Sequence, residues 1–181
     1  MTDQANMADK SATQNPLLSF WKLPCVLAGV VVAIDQVTKY YVVTNWPQGH
    51  ASQVVVIRGF FNLVHFRNTG GAWGILPHST GALSLISLAV AIVLVLAFKR
   101  LVESRPERGL ALGLMLGGIL GNLVDRLLRG EVVDFLLFFY RSFQWPAFNV
   151  ADSAITCGVG LFILSSAVQA HVEPARPPEE R

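Results

Sequence analysis

The apolar residues of this chain gather in long uninterrupted runs instead of alternating or forming helical stripes. Residues 81–98 contain no charged side chain. At about 1.5 Å per residue such a helix covers roughly 27 Å, close to the hydrocarbon thickness of a bilayer. Three further runs have similar length, at about 23–43, 110–128 and 150–170. The first begins near Pro24, a residue suited to a helix start, and turns polar at Asp35, Gln36, Thr38 and Lys39. The pattern predicts four membrane spans in one compact bundle, a mainly α membrane fold.

The intervening segments read differently. Residues 52–68 are β-branched and aromatic with partial alternation, interrupted at Gly59, and predict two short strands. The glycine-rich stretch Asn68-Thr-Gly-Gly-Ala-Trp-Gly74 follows, either a plain hairpin connection or a loop that lets backbone approach a ligand. Together these form a β-region over about 52–76. Residues 134–143 are rich in Phe and Leu but too short to cross, and read as a short interfacial helix lying on the bilayer. Trp46, Trp73 and Trp145 fall at the same border, as an aromatic belt does. The expected organisation is a disordered leader, 1–16, a single four-span domain, 17–170, and a tail, 171–181. The leader's polarity and the run into Asp35, in place of a small-residue cleavage site, argue against a cleaved signal peptide.

Composition supports this reading: 52% of the 181 residues are hydrophobic and 14% charged. The short loop 99–108 carries Lys99, Arg100, Arg105 and Arg108, which places it and both termini in the cytoplasm. A net charge of +2 gives no reason to expect a nucleic-acid partner. Cys25 and Cys157 fall at different depths, so a disulfide is not expected. His50, His65, His78 and His171 are scattered, with no metal-binding motif.

With that topology the unusual polar residues of the spans collect at the extracytoplasmic end. Asp35 and Lys39 close the first span, Asn122 and Asp125 the third, and Asn149 and Asp152 open the fourth. Carboxylates at membrane depth are costly and face a bundle interior or a wet cavity. Asn122-Leu-Val-Asp125 and Asn149-Val-Ala-Asp152 share a spacing of three, which sets amide and carboxylate on one helical face. Simpler readings exist for each: helix capping for Asn149 and Asp152, an end-of-helix pair with Arg126 for Asp125, and an i,i+4 ion pair for Asp35 and Lys39. If Asp125 and Asp152 meet, the helix dipoles make Asp152 the ionised base and Asp125 the protonated acid of a one-proton pair, poised to hydrolyse a peptide. A Ser153–Lys39 hydrolase is disfavoured, because Asp35 beside Lys39 favours the charged amine.

Four blocks carry a resemblance. They are Asp35-Gln-Val-Thr-Lys39; Asn68-Thr-Gly-Gly-Ala-Trp73; Gly117-Gly-Ile-Leu-Gly-Asn-Leu-Val-Asp-Arg126 continuing to Val133-Asp-Phe135; and Phe148-Asn-Val-Ala-Asp-Ser153. In this order and spacing the chain resembles the bacterial lipoprotein signal peptidases, or signal peptidase II. The family often has Phe where Trp73 stands. The resemblance implies an aspartyl endopeptidase of the bacterial inner (cytoplasmic) membrane, acting at its periplasmic border without metal or organic cofactor. It would cut lipoprotein precursors before a diacylglyceryl-modified cysteine. It places the catalytic dyad on Asp125 and Asp152 and supporting residues on Asp35, Lys39, Asn68, Gly70, Asn122, Arg126, Asp134, Asn149 and Ala151. Partners are then prolipoprotein substrates and membrane lipids, with no obligate protein partner and a monomeric chain. A small proton-coupled transporter and a membrane scaffold subunit are the alternatives.

Overall fold

The computed structural model describes residues 16–71, 76–103 and 105–172. Four helices dominate: α1 (Pro16–Asn45), α2 (Thr80–Val102), α3 (Pro106–Arg129) and α4 (Val150–Val172). All four are long and apolar enough to cross a membrane, so the protein is a multi-pass membrane protein. The leader up to residue 15, Ala72 to Ile75 with Trp73, and the tail from 173 lie outside the described residues.

α3 is the central helix, packed on α1, α2 and α4, and among the described residues it is the most deeply buried of the four. Glycine makes that possible. Gly113 and Gly117 lie against the backbone of Pro24 and Ala28, where an added Cβ would come within 2.7 Å and 2.8 Å of the two carbonyl oxygens. On another face Gly118 lies against the Ala151 carbonyl, and Gly158 of α4 returns the arrangement against Ala111. Helices in lipid gain little from hydrophobic burial, so close backbone approach at small residues supplies the attraction.

Pro24 does not start a helix. It sits inside α1, which begins at Pro16. A proline interrupts the ladder less severely in a membrane helix, where neighbouring helices can restore the lost contacts, and here its ring and backbone pack against Gly109 and Gly113.

A four-stranded antiparallel sheet, β1 (Gly49–Ile57), β2 (Phe61–Asn68), β3 (Val132–Tyr140) and β4 (Phe143–Gln144), joins the helices at one end, in the order β1-β2-β3-β4. The first two strands match the expected β-region. The interfacial helix expected over 134–143 is instead β3, its turn and β4. The Val-Val-Asp-Phe-Leu-Leu-Phe-Phe-Tyr run is β-branched and aromatic, and it pairs with β2 from Phe61↔Phe138 to Asn68↔Val132. The partner strand lies about 70 residues earlier, a relationship that local composition does not carry. Gly130, with φ 77°, ends α3 in the left-handed region and turns the chain directly into β3. That turn sets Asp134 beside the end of α3.

Candidate active site

Two polar clusters share this end of the bundle, one sealed and one open. The sealed cluster is built around Lys39, which has no solvent exposure. Its ammonium donates to Asp35 Oδ2 at 2.8 Å, Asp125 Oδ2 at 2.9 Å and Asn122 Oδ1 at 2.9 Å, so all three protons are used. Asp125 also accepts from Arg129, from Gln36 Nε2 at 3.1 Å and from the Val133 N–H at 3.2 Å. Arg129 in turn donates to Gln36 Oε1 at 3.0 Å. Two carboxylates and two cations balance, which a buried ionic cluster requires.

Asp35 has a second task. Its Oδ1 accepts the Ala151 N–H at 2.9 Å, satisfying an orphan donor in the first turn of α4. Asn149 caps the same helix. Its Oδ1 accepts the Asp152 N–H at 3.0 Å while Asp152 Oδ2 accepts the Asn149 N–H at 3.2 Å, a reciprocal capping box. The capping reading of Asn149 and Asp152 is therefore correct, and it does not exclude a second role.

The open cluster lines a cavity of about 1260 Å³ between the sheet and the ends of α3 and α4. Asp134, Asp152, Asn122, Arg126, Asn68 and Gly70 all contribute to its wall. Asn149 ties the two carboxylates together. Its Nδ2 donates to Asp134 Oδ1 at 2.8 Å, and its backbone N–H serves Asp152. Asn122 Nδ2 donates to Asp152 Oδ1 at 2.7 Å, and Asn68 Nδ2 to Asp134 Oδ2 at 3.1 Å. Burial first, and then the Asp152 carboxylate, push the Asp134 carboxyl up to about 7. The bonds from Asn68 and Asn149 and the charge of Lys39 oppose that rise. Arg126 is the cation of this cavity, exerting its charge on Asp152 and Asp134, and its buried Nε has no hydrogen-bond partner. One proton on the carboxylate pair balances that charge.

The expected pairing of Asp125 with Asp152 does not survive this geometry. Asp125 does not line the cavity, and its oxygens are filled by four donors, two of them cations. Its ionic partners are Lys39 and Arg129, not Arg126. The carboxylate that shares the cavity with Asp152 is Asp134. Asn122 likewise serves Asp152 across the helix pair and not the aspartate three residues on. Ser153 Oγ donates to Asn149 O at 2.9 Å, and Lys39 is enclosed by carboxylates, which leaves no serine–lysine arrangement. Gly70 has its N–H bound to Asn68 Oδ1 at 2.9 Å, so the loop start is shaped by an Asx turn at the cavity wall. Gln36 and Arg129 were not anticipated. Their signal was available, since Arg129 stands four residues after Asp125.

Comparison with known proteins agrees with a peptidase. The family model for signal peptidase (SPase) II matches residues 27–168. The chain belongs to the signal peptidase II family. It is thus a protease, of the aspartic class. The lipoprotein signal peptidase of Symbiobacterium thermophilum is 45% identical over 143 residues, covering 78% of this chain and 92% of that protein. The Bacillus subtilis lipoprotein signal peptidase is 40% identical over 139 residues, covering 77% and 89%. A solved structure of a bacterial membrane enzyme superposes with a TM-score of 0.78 at 34% identity, covering 87% of this chain and 94% of that one. A second bacterial membrane enzyme gives 0.70 at 38% identity, covering 80% and 92%. The signal peptidase II match reaches into all four helices and includes both aspartates of the cavity.

Proposed function

We propose that this chain removes signal peptides from diacylglyceryl-modified lipoprotein precursors, cutting before the lipidated cysteine, with Asp134 and Asp152 as the catalytic dyad. The observation that carries the assignment is the shared wall: both carboxylates face one cavity, and Asn149 bonds to each. A carboxyl titrating near 7 can hold the single proton at neutral pH. Asp152 takes a proton from a water molecule as its oxygen attacks the scissile carbonyl. Asp134 then gives its proton to the departing amine nitrogen as the C–N bond breaks. The products are the signal peptide's carboxylic acid and the amine of the cysteine, and the pair again holds one proton, now on Asp152. Its return to Asp134 resets the site.

Arg126 lines the cavity and its Nε has no hydrogen-bond partner, and its guanidinium suits the carbonyl oxygen of a substrate. Asn122 and Asn149 orient the carboxylates, and Asn68 and Gly70 border the path of the peptide. Asp35, Lys39 and Ala151 hold α1, α3 and α4 in register beneath them. The basic 99–108 loop supports cytoplasmic termini, a site at the periplasmic border of the bacterial inner membrane, and lateral arrival of a lipid-anchored substrate. A self-contained dyad supports a monomer.

The test is incubation of the purified protein with a diacylglyceryl-modified precursor, following product mass, beside Asp134→Asn, Asp152→Asn and Asp125→Asn. Cleavage by the wild type, lost in the first two variants while they remain folded, supports the dyad. Turnover in a folded Asp134→Asn variant removes it. A wild type that leaves a competent precursor intact would return a proton-coupled transporter to consideration.

A further inference from the structure

The β1–β2 and β3–β4 turns lie side by side at the same end of the sheet, because Phe61 pairs with Phe138 and the Phe139 N–H donates to Phe60 O at 2.9 Å. Each turn carries an arginine at its tip, Arg58 and Arg141. Both arginines are exposed, and among the described residues neither forms an ion pair. Arg141 only lies over the Tyr140 ring, at 5.3 Å. Around them stand exposed apolar and aromatic side chains: Ile57, Phe60, Tyr140, Phe143 and Trp145. Tyr140 is 62% exposed and Phe143 56%.

Along β1 the exposure involves both faces. Val54, Val55, Val56 and Ile57 are all at least two-fifths exposed, although successive residues of a strand point to opposite sides. A protein partner docked on the sheet would cover one face. An apolar medium covers both. Backbone strain gives an independent sign. Arg141 adopts φ 55°, where glycine or asparagine is the usual choice, so a charged side chain is kept at a position that disfavours it. Tyr140 and Phe143 also line the cavity, at its end about 20 Å along the sheet from Asp134.

We infer that these two turns form a lip seated in the outer bilayer interface, where Arg58 and Arg141 bind the phosphate of anionic phospholipids. The aromatic side chains sit at headgroup depth, the arginines pair with phosphate oxygens, and this end of the cavity is held against the leaflet. The site is distinct from the dyad and does not depend on its chemistry. A basic residue near an anionic surface gives an enrichment of about fivefold.

The full chain carrying Cys25→Ala, Cys157→Ala and Ser142→Cys offers one thiol, between Arg141 and Phe143, for a fluorescent label. Reconstituted in vesicles with equal parts phosphatidylcholine and phosphatidylglycerol, the label reads the lipid beside it when one or the other species is brominated. Stronger quenching by brominated phosphatidylglycerol is expected, by several-fold. In Arg58→Gln/Arg141→Gln that preference is expected to vanish while quenching by phosphatidylcholine remains. Arg67→Gln, which removes the same kind of charge from an arginine paired with Glu131 at 2.5 Å, is expected to keep it. No quenching by either lipid, equal quenching in the parent, or an unchanged preference in the folded double variant overturns the inference. Arg58→Lys/Arg141→Lys should keep part of the preference, and an unfolded sample is identified by its melting curve in the same vesicles.

Discussion

Lys39 Nζ lies 2.9 Å from Asp125 Oδ2, and neither side chain has any exposure. This pair places the acidic residue that closes α3 in a buried ionic cluster. Asp125 holds a buried cation, with Arg129 on its other oxygen, and it does not line the cavity.

Asp125→Asn and Asp134→Asn are therefore expected to fail in different ways. The first leaves Lys39 with Asp35 as its only carboxylate and is expected to cost about 3–5 kcal/mol of stability. Turnover per folded molecule should stay within a few-fold of wild type. The second should unfold no more easily than wild type but lose turnover by roughly 10²–10⁴-fold. Melting curves in detergent and single-turnover cleavage separate the two.

A pH profile follows from Asp134. Its native value of about 7 lies above the usual aspartate value of about 3.9, so between those limits the folded chain binds more protons than the unfolded one. Asp134's contribution to stability accordingly falls as pH rises from about 4 to about 7. Asp134→Asn is expected to abolish that fall, seen as a flatter melting temperature against pH. Turnover that needs a protonated Asp134 should decline as pH passes about 7. A decline unconnected with this window would detach it from the acid role.

Asn68 offers a sharper reading of the same group. Its side-chain bond lowers the Asp134 value, so Asn68→Ala is expected to move the alkaline limb of the pH–rate curve upward. Loss of turnover with an unmoved limb would mean that Asn68 acts on substrate alone.

Gly118 tests the helix contact beneath the site. An added Cβ overlaps the Ala151 carbonyl and comes within 2.7 Å of Ile155 Cγ1. Gly118→Ala must spread α3 from α4 at the turn that carries Asp152. It is expected to cost about 1–3 kcal/mol and to lower kcat more than a comparable change at Gly160, which has open space. Equal kinetics for the two alanine variants would uncouple this crossing from the site.

Much of this protein is determined locally. Four apolar runs of membrane length specify four spans whatever their packing, because backbone in hydrocarbon must bond to itself as helix. The Asp35–Lys39 pair and the Asn149–Asp152 capping box are legible for the same reason, since residues three or four apart on a helix necessarily meet. The four motif blocks carried the family resemblance, but spacing set Asp125 beside Asp152, whereas the carboxylate that shares the cavity with Asp152 is Asp134. Asn122-Leu-Val-Asp125 mimics Asn149-Val-Ala-Asp152 along the chain, and only the folded chain separates them.

Tertiary structure decided that separation. Gly130 and the pairing of β3 with β2 bring Asp134 over the bundle, while Lys39 from another helix claims Asp125. The same long-range pairing made a strand of residues that read as an interfacial helix. Local sequence determines what each segment can become. Which carboxylate meets a cation and which meets a cavity depends on contacts between elements 70 to 100 residues apart, such as Phe61 with Phe138 and Gln36 with Asp125, and these exist only once the helices and sheet have packed.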